Sequence, residues 1–252
     1  PVQAGVTRFQ DFPLRELVDY IDWTPFFQSW ELSGRYPAIL HDPVVGVQAS
    51  ELFDDAQRMI GQIIDGHWLT ANGVVGIWAA HSVGDDVEVF NEHGGELAVI
   101  QCLRQQVEKP AERPDFCLAD FIAPHDSGRK DWFGAFAVTT GLGCEDRARA
   151  FESAHDDYSA ILLKSLADRF AEAFAECLHA KVRKQLWGYA AGETIGFDAL
   201  IDESYQGIRP APGYPACPDH TTKSTLFRLL NASDNCGMQL TEGLAMSPAA
   251  SV

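Results

Sequence analysis

Between residues 49 and 64 apolar side chains recur every three or four positions, at Leu52, Phe53, Ala56, Met59, Ile60 and Ile63. That spacing predicts a helix with one buried face. A longer run of the same kind covers 145–186, where Tyr158, Leu162, Leu166, Phe170, Phe174, Leu178, Val182 and Leu186 follow at steps of four. Ala167, Ala171 and Ala175 form a small-residue row that lets a second backbone approach, and Asp168, Glu172 and Glu176 form an acidic row on a third side. One long helix packed on two sides is expected here. Leu14–Ile21 is a short amphipathic segment, and Pro25 is expected to push Thr24 from helical angles and hold Asp22-Trp23 in an open turn. Shorter helices are predicted near 197–205 and 221–231, with an irregular stretch from Gly207 to Asp219 that holds four prolines.

The period changes to two between residues 73 and 140. Gly73–Trp78 and Asp86–Phe90 read as strands, Glu96–Leu103 as another, and Gly134–Thr139 is so continuously apolar that it belongs deep in a sheet. Helices at both ends with strands between them predict an α+β fold. No linker or repeat divides the chain, so residues 1–252 read as one domain.

Composition narrows the function. Nineteen Lys plus Arg against 36 Asp plus Glu give a net charge of −17, which repels phosphate backbones and argues against nucleic acid. Apolar runs fall far short of the ~20 residues of a membrane-spanning helix. The six cysteines form no Cys-x-x-Cys pair, which suits reduced thiols in a cytoplasmic protein. Pro1 suggests a trimmed start, and no secretory signal follows it.

Glu152-Ser-Ala-His155 and Glu176-Cys-Leu-His179 are Glu-x-x-His pairs of the kind that hold di-iron centres. On one unbroken helix they would stand roughly 36 Å apart, so only a break could let them share a site. Cys217-Pro-Asp-His220 offers two zinc ligands where four are needed. Gly141-Leu-Gly143 is placed like a dinucleotide loop, but Asp146 would oppose a pyrophosphate there. No metal is expected. A nucleophile elbow and a Walker loop are absent, so the usual marks of acyl transfer and nucleotide hydrolysis are missing.

The most unusual segment is Tyr205–Pro218, whose prolines and glycines leave backbone groups that neither a helix nor a sheet can pair. Arg209 is a fork suited to a carboxylate and Tyr214 can stack on a heterocycle, a combination that fits an amino-acid-bearing nucleoside. A rigid surface loop, with Arg209 capping a helix and Tyr214 packed on the core, satisfies the same pattern.

Seven segments resolve that choice by resemblance: Tyr20–Phe27 (YIDWTPFF), Gly34–Pro37 (GRYP), Asp115–Phe121 (DFCLADF), Ala135–Val138 (AFAV), Ala154–Tyr158 (AHDDY), Leu166–Arg169 (LADR) and Tyr205–Tyr214 (YQGIRPAPGY). In this order they resemble the activation domain of cobalamin-dependent methionine synthase. The resemblance implies a C-shaped α+β domain with a bent antiparallel sheet and flanking helices, a C-terminal piece of a larger methyltransferase. It implies binding of S-adenosylmethionine (AdoMet) in a shallow groove, with Arg209 on the carboxylate, Asp22 on the ammonium, and Ala211, Gly213 and Tyr214 lining the groove. Asp168 would face the cobalamin-binding module. Cobalamin itself would be held by that neighbouring module, and a flavodoxin or flavoprotein reductase would supply an electron for reductive methylation.

Two departures accompany the likeness. Gly143-Cys144 stands where the family often has an acidic pair, and the chain ends at Ser251-Val252, before a segment that carries a further tyrosine contact in relatives. Arg147, Arg149, Lys181, Arg183 and Lys184 are candidates for a local basic docking patch. Two other readings stay open: a separate activator of a corrinoid protein, and a free AdoMet-dependent small-molecule methyltransferase with a closed pocket and a general base.

Overall fold

One strand, β2 (Thr70–Val83), organises the sheet in the computed structural model, which describes residues 1–110 and 112–252. Along one edge it pairs first with β1 (Gly5–Phe9) and then, end to end, with β3 (Asp86–Phe90). Along its other edge it pairs with β5 (Asp131–Leu142), and β4 (Glu96–Ile100) extends the sheet beyond β3. All of these pairings are antiparallel. The last residues join the free edge of β5, where Val138 and Val252 exchange backbone hydrogen bonds of 2.8 and 2.9 Å.

Both faces of this sheet are covered, and the period of two shows how. Val75 and Ile77 of β2 and Val138 of β5 face a core shared with α1 (Leu14–Leu17), α2 (Trp23–Ser29), α3 (Gly46–Asp65) and the central helix α5 (Asp157–Lys181). Val74, Trp78 and Ala80 of β2, with Phe133 and Ala137 of β5, face a second core. That core is closed by Leu230 at the end of α7 (Thr222–Leu230) and by Ala232 and Cys236 of α8 (Ala232–Cys236). Burial on both sides explains the continuous apolar character of β5. Between α5 and α7 the short α6 (Phe197–Ile201) interrupts a long irregular stretch, and Gln239–Leu240 pairs with Met246–Ser247 in a small separate ribbon.

The predicted α+β class and most of the predicted helix and strand positions hold; β1 lies ahead of every helix, outside the 73–140 region where strands were expected, and two further corrections concern helices. Residues 145–186 do not form one helix: α4 (Cys144–Ser153) ends before a turn in which His155 takes φ 59°, and α5 restarts with the Asp156 side chain accepting from Ser159 N at 3.0 Å. A carboxylate placed to cap new N–H groups makes the restart cheaper than continuing through the turn. Lys164 bonds Glu152 at 3.1 Å and lies 4.0 Å from Glu145, so α4 folds back along α5. The second correction concerns Pro25, which sits in the first turn of α2 rather than holding Asp22-Trp23 open. First-turn N–H groups have no helical partner, so proline loses nothing there.

The central helix carries the expected stripe: Leu162, Leu166, Phe170, Phe174, Leu178 and Val182 are buried, while Tyr158 at its start is exposed. The alanine row does bring a backbone close. Ala167, Ala171 and Ala175 are buried, and the Thr140 hydroxyl of β5 donates to the Ala167 carbonyl at 2.7 Å.

Candidate functional site

At 100° per residue, Ser165, Asp168, Glu172, Glu176, His179 and Arg183 share one face of α5 and its continuation. The first half of that face is open, with Asp168 and Glu172 exposed. Beside it runs α2, whose last turn meets α5 where the Ser29 and Ser165 hydroxyls lie 3.4 Å apart and Trp30 packs edge-on against Tyr158. At the other end of α2, Asp22 accepts from Thr24 N at 3.0 Å through Oδ1. Its cap role leaves the second carboxylate oxygen without a hydrogen bond among the described residues.

The second half of the face is covered by the chain that follows α5. A wide turn of π-helix (Val182–Leu186) ends the helix, and Arg183 is fully buried there, although the sequence placed it in a surface patch. Glu193 is the reason: it accepts from Arg183 Nε at 2.9 Å and from Nη2 at 2.6 Å. His179 Nδ1 lies 2.9 Å from Arg183 Nη1, and because a guanidinium only donates, the imidazole accepts. Burial first, then the charges of Arg183 and Arg209, push the His179 pKa down to about 3, so the ring is neutral. Tyr205 closes the cluster, edge-on to His179 and 4.3 Å beneath the Arg183 guanidinium. Periodicity missed this cluster. Its one sequence signal is a histidine and an arginine, one turn apart, closing an otherwise acidic face.

Arg209 arrives at the same face from the proline-rich loop and pairs with Glu176 through Nη2. Arg209 Nε and Glu176 Oε2 are both buried without a partner. Burial pushes the Glu176 carboxyl up, against the pull of Arg209 and Arg183. Beyond Arg209 the loop folds into tight turns: Tyr214 N donates to Ala211 O at 2.9 Å, Gly213 N to Cys217 O at 2.7 Å, and Cys217 N to Tyr214 O at 2.9 Å. Fewer backbone groups are therefore free than the proline pattern suggested. Ala211 N–H is one that has no partner among the described residues. Gly213 has φ 107°, and a Cβ there would come 2.5 Å from the His220 ring, so conformation and packing both require glycine. The Tyr214 ring is 62% exposed and does not pack on the core.

The remaining candidates separate. Asp168 is half exposed beside Arg169, to which it pairs. The helix break raises the di-iron question again, but Glu152 is tied to Lys164, twelve residues and roughly 18 Å of helix before Glu176. No group of three His, Cys, Asp or Glu stands at metal-binding distance among the described residues. Asp219 caps Thr221 N at 2.8 Å and Cys217 is buried. Of the basic patch, Arg149 pairs with Asp146 and Arg147 lies 3.7 Å above the Trp68 ring. Those two, with Arg183 buried, do not form one surface with Lys181 and Lys184. A cavity of about 760 Å³ between α3 and α4, lined by Arg58, Gln62, Trp68 and Arg147, contains none of the residues predicted to bind AdoMet. The candidate site is the face of α5 between α2 and the proline-rich loop.

Comparison with known proteins agrees with this architecture. The family model for the vitamin B12-dependent methionine synthase activation domain matches residues 13–252. A solved structure described as the MetH reactivation domain bound to AdoHcy is similar over 99% of this chain and 77% of its own, at 51% identity and a TM-score of 0.95. The chain thus belongs to the family of activation domains of vitamin B12-dependent methionine synthase.

Proposed function

We propose that this chain binds AdoMet along the open face of α5 and presents its methyl group to a cobalamin held by a neighbouring module of the same enzyme. The observation that carries the reading is Arg209, fixed at that face with one guanidinium nitrogen on Glu176 and no other ion-pair partner among the described residues. Support also comes from the similar structure, which is bound to AdoHcy, the product of methyl transfer from AdoMet. Arg209 meets the ligand carboxylate and Asp22, through its free oxygen, the ammonium. The Ala211 N–H and the Tyr214 ring provide a donor and a stacking surface, and Gly213 keeps the backbone close enough for both.

AdoMet would supply a methyl group already activated by its sulfonium, for transfer to a cobalamin that the neighbouring module would hold and that one electron from a flavodoxin or flavoprotein reductase would make nucleophilic. The residues of this chain bind and orient; a neutral thioether departs, so no protein acid is required. Asp168, exposed on the same face, is assigned to the contact with the cobalamin module. No described helix is long and apolar enough to cross a membrane, and we place the work in the cytoplasm. The exposure of Asp168, Glu172 and Tyr214 favours this reading over a free methyltransferase with an enclosed pocket.

Calorimetric titration with AdoHcy tests the site directly. One-to-one binding weakened by about 1–3 kcal/mol in Arg209→Ala is the range for losing a charge-assisted contact. Undiminished binding by that variant would move the ligand elsewhere.

A further inference from the structure

Arg209 stands on a loop without regular secondary structure, whereas the group that holds it stands on the most deeply packed helix of the molecule. Glu176 Oε1 takes Arg209 Nη2, and the two side chains are only 15% and 19% exposed. Arg209 Nε is enclosed without a partner. The Tyr205 hydroxyl also lies within hydrogen-bonding reach of the Arg209 side chain, and Nη1 has no ion-pair partner among the described residues, so it is the nitrogen left for a ligand carboxylate. Glu176 is held in turn. Arg183 attracts it, and Arg183 has its own carboxylate, Glu193, on two nitrogens, so it does not draw Glu176 away from Arg209.

We infer that Glu176 is a positioning residue for AdoMet recognition: by holding Nη2 of Arg209 against α5, it aims Nη1 at the ligand carboxylate. This rests on the reading of Arg209 as the carboxylate-binding group. A guanidinium on a loop otherwise samples many rotamers, and freezing it at the moment of binding costs affinity; the ion pair freezes it beforehand. Glu176 does not touch the ligand, so its effect passes entirely through Arg209. It should therefore be felt only by ligands that have a carboxylate.

Two ligands separate this role from a structural one: AdoHcy, and S-adenosyl-3-thiopropylamine, the same nucleoside without the carboxylate. Calorimetry on the 252-residue chain should show Glu176→Ala weakening AdoHcy about tenfold, the scale at which supporting residues tune a primary contact. Binding of the decarboxylated compound should stay within about twofold. Glu176→Gln keeps the volume and one acceptor, and should give a smaller loss confined to AdoHcy. That variant decides the matter if Glu176→Ala fails to fold. Unchanged or tighter AdoHcy binding in both variants would overturn the inference, because Glu176 would then be a bystander or a competitor. Equal losses for the two ligands would overturn it too, as a general disturbance of the groove. Arg209→Ala is the control: if it fails to distinguish the ligands, the carboxylate assignment falls, whereas discrimination there without any in the Glu176 variants sinks only the positioning role.

Discussion

Two arginine–glutamate pairs lie about two turns apart on the face of one helix, and they are built differently. Arg183–Glu193 is closed: both side chains are nearly inaccessible, two guanidinium nitrogens meet two carboxylate oxygens, and the third nitrogen meets His179. Arg209–Glu176 is open, with one contact, and a buried atom left unpaired on each side. A buried charge left without its partners costs several kcal/mol, so native structures satisfy such groups. The first pair obeys that rule and the second, about two turns nearer the exposed half of the face, breaks it. The closed pair pins the chain after α5 onto the helix, and the open one keeps hydrogen-bonding capacity in reserve for a ligand.

The contrast can be broken most severely at Arg183. Arg183→Ala leaves Glu193 enclosed with only Lys184, 4.0 Å away, as a counter-charge, and should cost about 3 kcal/mol of stability, measured by urea denaturation. A loss below about 1 kcal/mol would mean the pair is dispensable. Arg209→Ala should show the reverse balance, with about 1–3 kcal/mol lost in AdoHcy binding and a smaller loss of stability than Arg183→Ala, because Glu176, whose carboxyl burial already pushes up, can take on a proton once its partner is gone. If instead it unfolds the chain while Arg183→Ala does not, the assignment of closed and open pairs is reversed.

His179 sharpens the comparison through pH. Its folded pKa of about 3 lies below the unfolded value near 6.5. Between these the unfolded chain takes up a proton that the folded chain refuses. This contribution is fully present above pH 6.5 and is lost as pH falls toward 3, by at most about 1.4 kcal/mol per pH unit. His179→Gln keeps an acceptor for Arg183 and should flatten the stability profile in that window; an unchanged slope would show that other groups set it. The smallest effect is expected at Asp22. Asp22→Ala removes the cap of α2, at about 1 kcal/mol of stability, and should weaken AdoHcy as well. Asp22→Ser, which restores a cap without the charge, should recover stability and leave the binding defect, and recovery of both would confine Asp22 to capping.

Much of the fold was legible because its signals are local. The four-residue steps of Leu162 to Val182 and the alternation of Asp86–Phe90 follow from the geometry of a helix and a strand, and both elements lie where those patterns put them. The errors lie where a local rule met a local exception: Asp156 recapping the helix after Ala154, and Pro25 in a first turn that needs no N–H. Of the site, Arg209 and Tyr214 stood out in a segment too rich in proline for regular structure. Glu176 looked like one carboxylate in a solvated row and Arg183 like a surface charge, because nothing near either in sequence shows what covers it.

The sequence by itself determined the periodic elements, the α+β class, and, through seven ordered segments, the family. Only the tertiary structure decided which charges are buried and paired. Arg183 meets Glu193 ten residues later and Glu176 meets Arg209 thirty-three residues later, across the end of α5, the π-helical turn and a largely irregular stretch that holds the short α6. Whether a charged side chain is solvated or enclosed depends on the low-dielectric surroundings that distant segments create when they pack together, and that environment has no periodic signature along the chain.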